Sequence, residues 1–332
     1  MTADRKHKVY LRGDGGKTLG WGHINRLVSL AFILKDHFCL ECLSGQEGAD
    51  LFRSVAGDFV DIRVINDESV GKFYDEWPVI PDEGILVIDG YHFDAEYRAA
   101  AKLNGFKIVL IDDFATGPFN YEDLIINHAP DSRHYYDTNS LPRICCGIEY
   151  ALLRPDFYKQ LSNEPRDENQ ILISMGGADP NGLTYKILNS AGALFPEYHW
   201  IAVCTKSFGE NWLEKLGDLE RQRKNISIKL QLDAAEMHRL MLESGKAIVS
   251  SSTVLIEAWA SGLYPAAICY TENQQMIYQG SINTDMAFPL HTDDLTNGLE
   301  HYLKGKQRFK GRTNEWNPPL CILHAMQELT AS

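Results

Sequence analysis

The 332-residue sequence is long enough for two domains of ordinary size, and its 44% hydrophobic and 23% charged residues are typical of a globular protein. A net charge of −13 argues against a nucleic-acid partner, because a phosphate backbone needs a basic surface. No stretch approaches the length needed for membrane insertion. Seven irregularly placed cysteines fit a reducing, cytoplasmic location.

Short apolar runs alternate with helical segments in both halves of the chain. Runs rich in Ile, Val and Leu that do not alternate with polar residues predict strands buried on both faces of a parallel sheet. In chain order they are residues 8–12, 39–43, 62–65, 85–89, 108–112, 124–127, 143–147, 171–175, 200–204, 226–230, 247–250 and 266–270. A polar, proline-containing linker at 163–169 separates the first seven from the last five. The pattern predicts an α/β protein of two doubly wound, Rossmann-like parallel-sheet domains, at 1–162 and 163–332.

A glycine-rich turn follows the first predicted strand and leads into Gly20-Trp21-Gly22-His23. Apolar residues recur at helical spacing behind it, so His23 is expected in the first turn of a helix. The helix dipole there favours a neutral imidazole that can accept a proton. Arg26 lies three residues on, on the same helix face, where it could attract an anionic substrate. The alternative is that His23 only caps the helix at the surface.

Two acidic residues, Asp89 and Asp112, end predicted strands. In an open α/β sheet, ligands bind at the edge formed by the carboxyl ends of the strands. The pair Asp112-Asp113 is expected to form a hydrogen-bonding turn rather than a metal site. We therefore predict no metal and no other cofactor.

Two turns in the second half have the features of phosphate-binding turns. Gly176-Gly177 follows the run at 171–175, and Ser251-Ser252-Thr253 follows the run at 247–250. Each places backbone amides at the start of a helix, where they can bind an anion. Glu257, one turn into the second of these helices, could accept a hydrogen bond from a ribose hydroxyl. The alternative is that Ser252 or Thr253 caps its own helix.

The motifs, taken in order, resemble the PseG/SpsG-type nucleotide-sugar hydrolases of pseudaminic acid biosynthesis, which are members of the GT-B superfamily. The matching positions are Arg12-x-Asp14, Gly20-x-Gly22-His23, Arg26, Asp89-x-Tyr91, Asp112-Asp113, Asn127, the segment 147–155 with Tyr150 and Arg154, the segment 174–179, Glu257 and Asn273-Gln274. The second half also resembles the GT-B peptidoglycan GlcNAc transferases. In those enzymes the positions that match Ser251-Ser252, Glu257 and Gln274 meet the diphosphate, the ribose and the sugar.

This resemblance implies a GT-B fold, with the two domains facing a cleft and the UDP moiety bound by the C-terminal one. It implies hydrolysis of a UDP-linked deoxyamino sugar to UDP and free sugar, in nonulosonic acid or surface polysaccharide biosynthesis. His23 would be the general base, and Asp14 would orient the water or a sugar hydroxyl. Substrate contacts would come from Arg12, Gly20, Gly22, Arg26, Asp89, Tyr91, Asn127, Tyr150, Arg154, Gly176, Gly177, Ser251, Ser252, Thr253, Glu257, Asn273 and Gln274.

Two positions depart from the family pattern. Gly90 stands where the family often carries histidine or serine, and His128 stands where glutamine is usual. Both changes concern the sugar pocket rather than the class of chemistry. Two other functions remain open from the sequence: a GT-B glycosyltransferase that uses a UDP-sugar donor, and a nucleotide-sugar binding protein without turnover.

Overall fold

Two parallel β-sheets contain every apolar run predicted as a strand. The structure, a computed structural model, describes residues 6–16, 20–81, 83–136, 142–159, 161, 165–305 and 315–331. The first sheet contains β1 (Lys8–Gly13), β2 (Cys39–Ser44), β3 (Val60–Val64), β4 (Gly84–Asp89), β5 (Phe106–Ile111), β6 (Leu124–Asn127) and β7 (Arg143–Cys146). Its strand order is 3-2-1-4-5-6-7, and all its neighbouring strands are parallel.

The second sheet follows the same plan. It contains β8 (Asp167–Ser174), β9 (His199–Cys204), β10 (Ile226–Leu230), β11 (Ser244–Ser250), β12 (Ala266–Ile268) and β13 (Phe288–Pro289), in the order 10-9-8-11-12-13. All its neighbouring strands are parallel as well. The two-residue strand β13 was not predicted, because a short edge strand that contains proline has no apolar run to reveal it.

Helices connect the strands and cover the sheets. They are α1 (Gly22–Leu34), α2 (Gln46–Ala56), α3 (Phe73–Glu76), α4 (Ala95–Leu103), α5 (Leu183–Leu194), α6 (Glu210–Gln222), α7 (Ala234–Glu243), α8 (Thr253–Ala260), α9 (Gln275–Asn283), α10 (Leu295–Lys304) and α11 (Pro318–Ala331). In the first sheet, α1, α2 and α11 share a core on one face, and α3 and α4 share an aromatic core on the other. Among the described residues, no helix combines the length and apolar character needed to span a bilayer.

The chain divides into two compact units whose bounds differ from those of the predicted domains, 1–162 and 163–332. The first unit is Met1–Arg154 together with Asn317–Ser332, and the second is Pro155–Trp316. The last helix returns to the first unit because α11 buries Ile322, Ala325 and Met326 in the same core as α1. The predicted linker at 163–169 also overlaps strand β8, whose first residues are exposed; its residues 163 and 164 lie outside the described part of the chain.

Candidate functional site

The strand order reverses once in each sheet, and several of the candidate residues lie near these two points. In the first sheet the reversal lies between β1 and β4, and in the second between β8 and β11. Open α/β sheets bind ligands in the crevice at such a switch point, outside the carboxyl ends of the strands. The loop after β1 carries Asp14 and leads to His23, while the residues after β11 include Ser251 and Ser252. Each unit therefore places predicted site residues where its topology opens a crevice.

The turn between β1 and α1 is shaped by glycines. A Cβ on Gly13 would come within 2.7 Å of the carbonyl oxygen of Asp89, so only glycine allows β1 to end this close to β4. Gly16 and Gly20 exchange two backbone hydrogen bonds of 3.0 and 2.8 Å, and Gly20 has a φ of +79°. The residues between them, 17–19, lie outside the described part of the chain. The paired glycines deliver the chain to Gly22, where α1 begins.

His23 is the second residue of α1 and pairs with Asp89 at the end of β4. Its Nδ1 lies 2.6 Å from Asp89 Oδ1, and its side chain is 14% exposed. Arg26 Nη2 lies 3.0 Å from the same nitrogen, but a contact of 2.6 Å to a carboxylate requires a hydrogen, so Nδ1 carries the proton. The other ring nitrogen, Nε2, is then an acceptor and has no hydrogen-bond partner among the described residues. The contact with Asp89 orients the ring, which is the arrangement that a general base would need.

Arg26 is enclosed by two carboxylates. Its Nε and Nη2 donate to Asp89 at 2.9 and 2.7 Å, and its Nη1 donates to Asp113 at 2.5 Å. Burial alone would lower the pKa of Arg26, but Asp113 and Asp89 together hold it well above its ordinary value. Because this guanidinium is paired with protein carboxylates, the structure argues against the predicted role of Arg26 in substrate binding. One positive and two negative charges leave the cluster with one net negative charge beside His23.

Tyr91 closes this cluster on the exposed side. Its hydroxyl donates to Asp113 Oδ2 at 2.7 Å, and its ring makes an edge contact with the His23 ring at a centroid distance of 4.6 Å. Half of its surface is exposed, so it can also meet a ligand. Asp113 belongs to this cluster rather than to the predicted turn. Asp112 forms that turn by accepting from the amides of Phe114 and Ala115. Among the described residues, no group of three or more potential metal ligands is present.

Arg12 is likewise a buried structural cation. It is fully buried and donates to both carboxylate oxygens of Glu76, at 2.8 and 2.7 Å, and to Asp14 at 2.7 Å. This arrangement argues against the predicted substrate contact, because no part of its side chain reaches the surface. Glu76 lies 64 residues away in the chain, and nothing in the sequence pattern indicated this pair.

Asp14 is fixed from several directions. It accepts hydrogen bonds from the amide of Gly45 at 2.7 Å and from Arg12, and His92 Nε2 lies 3.1 Å from its Oδ2. Burial would raise the pKa of Asp14, but the hydrogen bond from His92 and the charge of Arg12 outweigh it and hold the pKa below its ordinary value. An ionised carboxylate of this kind is a weak base. Its predicted role in orienting the water or a sugar hydroxyl stays a prediction.

The remaining predicted residues of the first unit lie farther along the sheet. Asn127 ends β6; its Nδ2 donates to Tyr136 at 2.9 Å and its Oδ1 accepts from the amide of Ala129 at 2.9 Å. Tyr150 and Arg154 follow β7, which lies three strands from β4 in the sheet order. Their substrate contacts stay predictions. Burial, aided by Cys145, raises the pKa of Tyr150 to about 12.

His128 is a buried residue near the cluster that the prediction did not assign to the site. Its Nδ1 accepts from the amide of Leu152 at 3.4 Å, and its Nε2 has no partner among the described residues. Burial lowers the pKa of His128 to about 4, and the charge of Arg26 acts in the same direction, opposed by Asp113 and Asp89. His128 is therefore a neutral imidazole at neutral pH.

In the second unit, the first of the two predicted phosphate turns is occupied by a protein carboxylate. Gly176 has a φ of +82°, and the carbonyl before it accepts from the Tyr270 hydroxyl at 2.8 Å. The start of α5 is capped by Asp179, whose two oxygens accept from the amides of Leu183 and Thr184 at 2.8 and 2.7 Å. These amides are satisfied, and the carboxylate would repel an anion. The α5 terminus itself is therefore a poor phosphate site, although Gly176 and Gly177 still border the β8–β11 switch point.

The start of α8 lacks such a cap in the described structure. Ser252 is the N-cap residue, but its hydroxyl lies 3.0 Å from that of Ser250 instead of capping its own helix. Ser251 is fully buried, and its hydroxyl has no partner among the residues described. Glu257 is buried one turn into the helix. The geometry disfavours the capping alternative and leaves the first turn of α8, with Thr253, as the better anion site.

Asn273 and Gln274 lie in a short turn after β12, the strand next to β11. Gln274 Oε1 accepts from the amide of Tyr270 at 3.1 Å, and Asn273 Oδ1 accepts from the Thr271 hydroxyl at 2.7 Å. These bonds hold the turn in place. The amide nitrogen of Gln274 could serve a ligand.

Comparison with known proteins finds relatives along most of the chain. The chain is 29% identical over 279 residues to UDP-2,4-diacetamido-2,4,6-trideoxy-beta-L-altropyranose hydrolase of Campylobacter jejuni. The match covers 81% of this chain and 93% of the relative. It is 26% identical over 288 residues to the spore coat polysaccharide biosynthesis protein SpsG of Bacillus subtilis, which covers 80% of this chain and 78% of the relative. No family model matches the chain.

Solved structures support the fold. MurG of Acinetobacter baumannii superposes with a TM-score of 0.63 at 14% identity, covering 97% of this chain and 99% of its own. UDP-GlcNAc 2-epimerase of Neisseria meningitidis, solved with UDP-GlcNAc, gives a TM-score of 0.67 at 10% identity. The match covers 98% of this chain and 100% of the epimerase chain. The two parallel-sheet units therefore have the GT-B fold that the motifs implied. This chain is a relative of the PseG/SpsG-type nucleotide-sugar hydrolases.

Proposed function

We propose that this protein hydrolyses a UDP-linked deoxyamino sugar to UDP and the free sugar, in the biosynthesis of a nonulosonic acid or a surface polysaccharide. The observation that carries the proposal is the 2.6 Å contact between His23 Nδ1 and Asp89, which leaves Nε2 as a proton acceptor at the switch point of the first sheet. The Campylobacter relative, described as a hydrolase of a UDP-linked diacetamido sugar, supports the choice of reaction and substrate. The seven unpaired cysteines fit a cytoplasmic enzyme.

In the proposed reaction, His23 Nε2 takes a proton from a water molecule as the water oxygen bonds to the anomeric carbon. The bond from that carbon to the diphosphate oxygen breaks, and UDP leaves with the electron pair. The imidazolium that forms is balanced by the net negative charge of Asp89, Asp113 and Arg26. General base catalysis of this kind contributes roughly 10²- to 10⁴-fold. Asp14 would orient the water or a sugar hydroxyl, and Tyr91 would border the sugar.

The nucleotide would bind to the second unit. The first turn of α8 offers backbone amides to the diphosphate. The Ser251 hydroxyl, which has no hydrogen-bond partner among the described residues, is a further donor. Glu257 would accept from the ribose, with Gly176, Gly177, Asn273 and Gln274 around the same strand ends. Charge on the leaving UDP is then stabilised by fixed dipoles, so the proposal requires no metal.

The test is UDP release from UDP-sugars with no acceptor present. The wild-type protein is expected to release UDP, and His23→Asn should lower kcat about 100-fold or more while the affinity for UDP changes little. His199→Asn is a matched control, because His199 is also half-buried and its Nε2 contacts Ser227 at 2.9 Å, but it begins a strand of the second unit. Release that requires an added acceptor would instead identify a glycosyltransferase. A folded His23 variant that keeps most of its activity would remove His23 from the mechanism.

A further inference from the structure

A second histidine, His92, is oriented by a buried aspartate at the same sheet edge as His23. His92 Nε2 lies 3.1 Å from Asp14 Oδ2. Asp14 is itself fixed by Arg12 and by the Gly45 amide, both at 2.7 Å. His92 is therefore held by a rigid partner, as His23 is held by Asp89. His92 is outside the motifs recognised in the sequence.

The two histidine–aspartate pairs cross between neighbouring strands. His23 follows β1 in the chain but pairs with Asp89 at the end of β4, whereas His92 follows β4 but pairs with Asp14 after β1. Strands β1 and β4 are adjacent and parallel, with Gly13 opposite Asp89. Neighbouring strands are about 4.8 Å apart. Both imidazoles thus lie on one short stretch of the edge, where a single small ligand could meet them together.

The contact with Asp14 fixes the proton position on His92. Asp14 is ionised, since His92 and Arg12 hold its pKa below the ordinary value against the effect of burial. An ionised carboxylate only accepts hydrogen bonds, so Nε2 of His92 carries the hydrogen and Nδ1 of the neutral ring is an acceptor. About a third of the side chain is exposed, at 32%, and Nδ1 has no hydrogen-bond partner in the described part of the chain.

We propose that His92 is a positioning residue for the sugar, accepting at Nδ1 a hydrogen bond from a hydroxyl or an amide N–H of the substrate. The inference rests on the proposed function, because it assumes that a sugar lies beside His23. A deoxyamino sugar offers donors of both kinds. His92 then fixes the orientation of the ring, while His23 remains the group that takes the proton from water.

Three variants separate this role from others. His92→Gln can keep a donor on Asp14 but has no acceptor at the Nδ1 position, whereas His92→Asn places its amide oxygen near that position. His92→Ala removes both. The full-length protein is assayed for UDP release at varied UDP-sugar concentration, and UDP affinity is measured by titration of the same samples. His199→Gln serves as the matched control.

The expected result is that His92→Gln and His92→Ala raise KM about 3- to 10-fold, the scale of one neutral hydrogen bond, with kcat within twofold. His92→Asn should recover part of this loss, and UDP affinity should be unchanged in all three. Unchanged KM in folded His92→Gln and His92→Ala would overturn the proposal, as would a fall in kcat at constant KM, which would make His92 a participant in proton transfer. A wild-type protein that releases no UDP would refute the proposed function instead.

Discussion

Replacing Asp89 by Asn tests whether the carboxylate sets the proton position on His23. Asp89 Oδ1 meets both His23 Nδ1 and Arg26 Nη2, while Oδ2 accepts from Arg26 Nε. An amide of the same shape has one acceptor atom and one donor atom. If its NH₂ group faces His23, Nδ1 becomes the acceptor and Nε2 carries the proton. If its NH₂ group faces Arg26 Nε, two donors oppose each other.

Because one amide oxygen cannot accept hydrogen bonds from both His23 and Arg26 as the two carboxylate oxygens do, we expect the fraction of His23 with a free Nε2 acceptor to fall sharply. The corresponding aspartate-to-asparagine change in serine proteases, a known system, costs about 10⁴-fold in kcat by the same change of tautomer. For Asp89→Asn we expect kcat to fall by about 10²- to 10⁴-fold, the range of general base catalysis. Arg26 keeps its two bonds to Asp113, so the loss of folding stability should be about 1–3 kcal/mol, less than for a fully broken buried pair.

The assay is UDP release in steady state, with urea unfolding and UDP titration on the same samples. Asp112→Asn is the matched control: this carboxylate also follows a strand of the first sheet, but it accepts from backbone amides and Tyr136 rather than from His23. Its kcat should stay within a few-fold of wild type. A folded Asp89→Asn protein with more than a fifth of the wild-type kcat would refute the assigned role of Asp89.

Two further outcomes follow from the described geometry. Glu257→Gln should weaken the binding of UDP about 10-fold but leave the binding of inorganic pyrophosphate unchanged, because only a ribose contact is altered; equal losses in calorimetric titrations would contradict this. His128 should make the protein less stable in acid: its pKa is about 4 in the folded state and 6.5 ordinarily, so its contribution is present above pH 6.5 and is lost as the pH falls towards 4. Between pH 7 and 4.5, urea unfolding should show wild type losing about 2–3 kcal/mol more than His128→Gln. Parallel losses in the two proteins would show that His128 is not the group responsible.

The strands of both sheets could be predicted because strands buried on both faces leave uninterrupted apolar runs. Parallel strands also bring their carboxyl ends to one edge, and for this reason the sequence predicted that Asp89 lies at the ligand-binding edge of the sheet.

The partners of the buried charges could not be predicted in the same way. Glu76, His92 and Asp113 meet Arg12, Asp14 and Arg26 across the sheet edge, and each such pair depends on side-chain directions in a loop. Without these partners, the two arginines looked like anion-binding groups. The capping of α5 by Asp179 was hidden for a similar reason, since a glycine-rich turn does not reveal which carboxylate folds back onto it.

Because α11 packs into the core of the first unit, that unit is assembled from the beginning and the end of the chain, whereas the second is one continuous segment. During synthesis on the ribosome, the whole second unit emerges before α11 does. The nascent chain would then hold a second unit able to complete its core beside a first unit with an uncovered apolar face. That face includes α1, which contacts α11 and carries His23. The face that carries His23 would thus acquire its final support only when α11 leaves the ribosome, in the reverse of the usual N-terminal-first order.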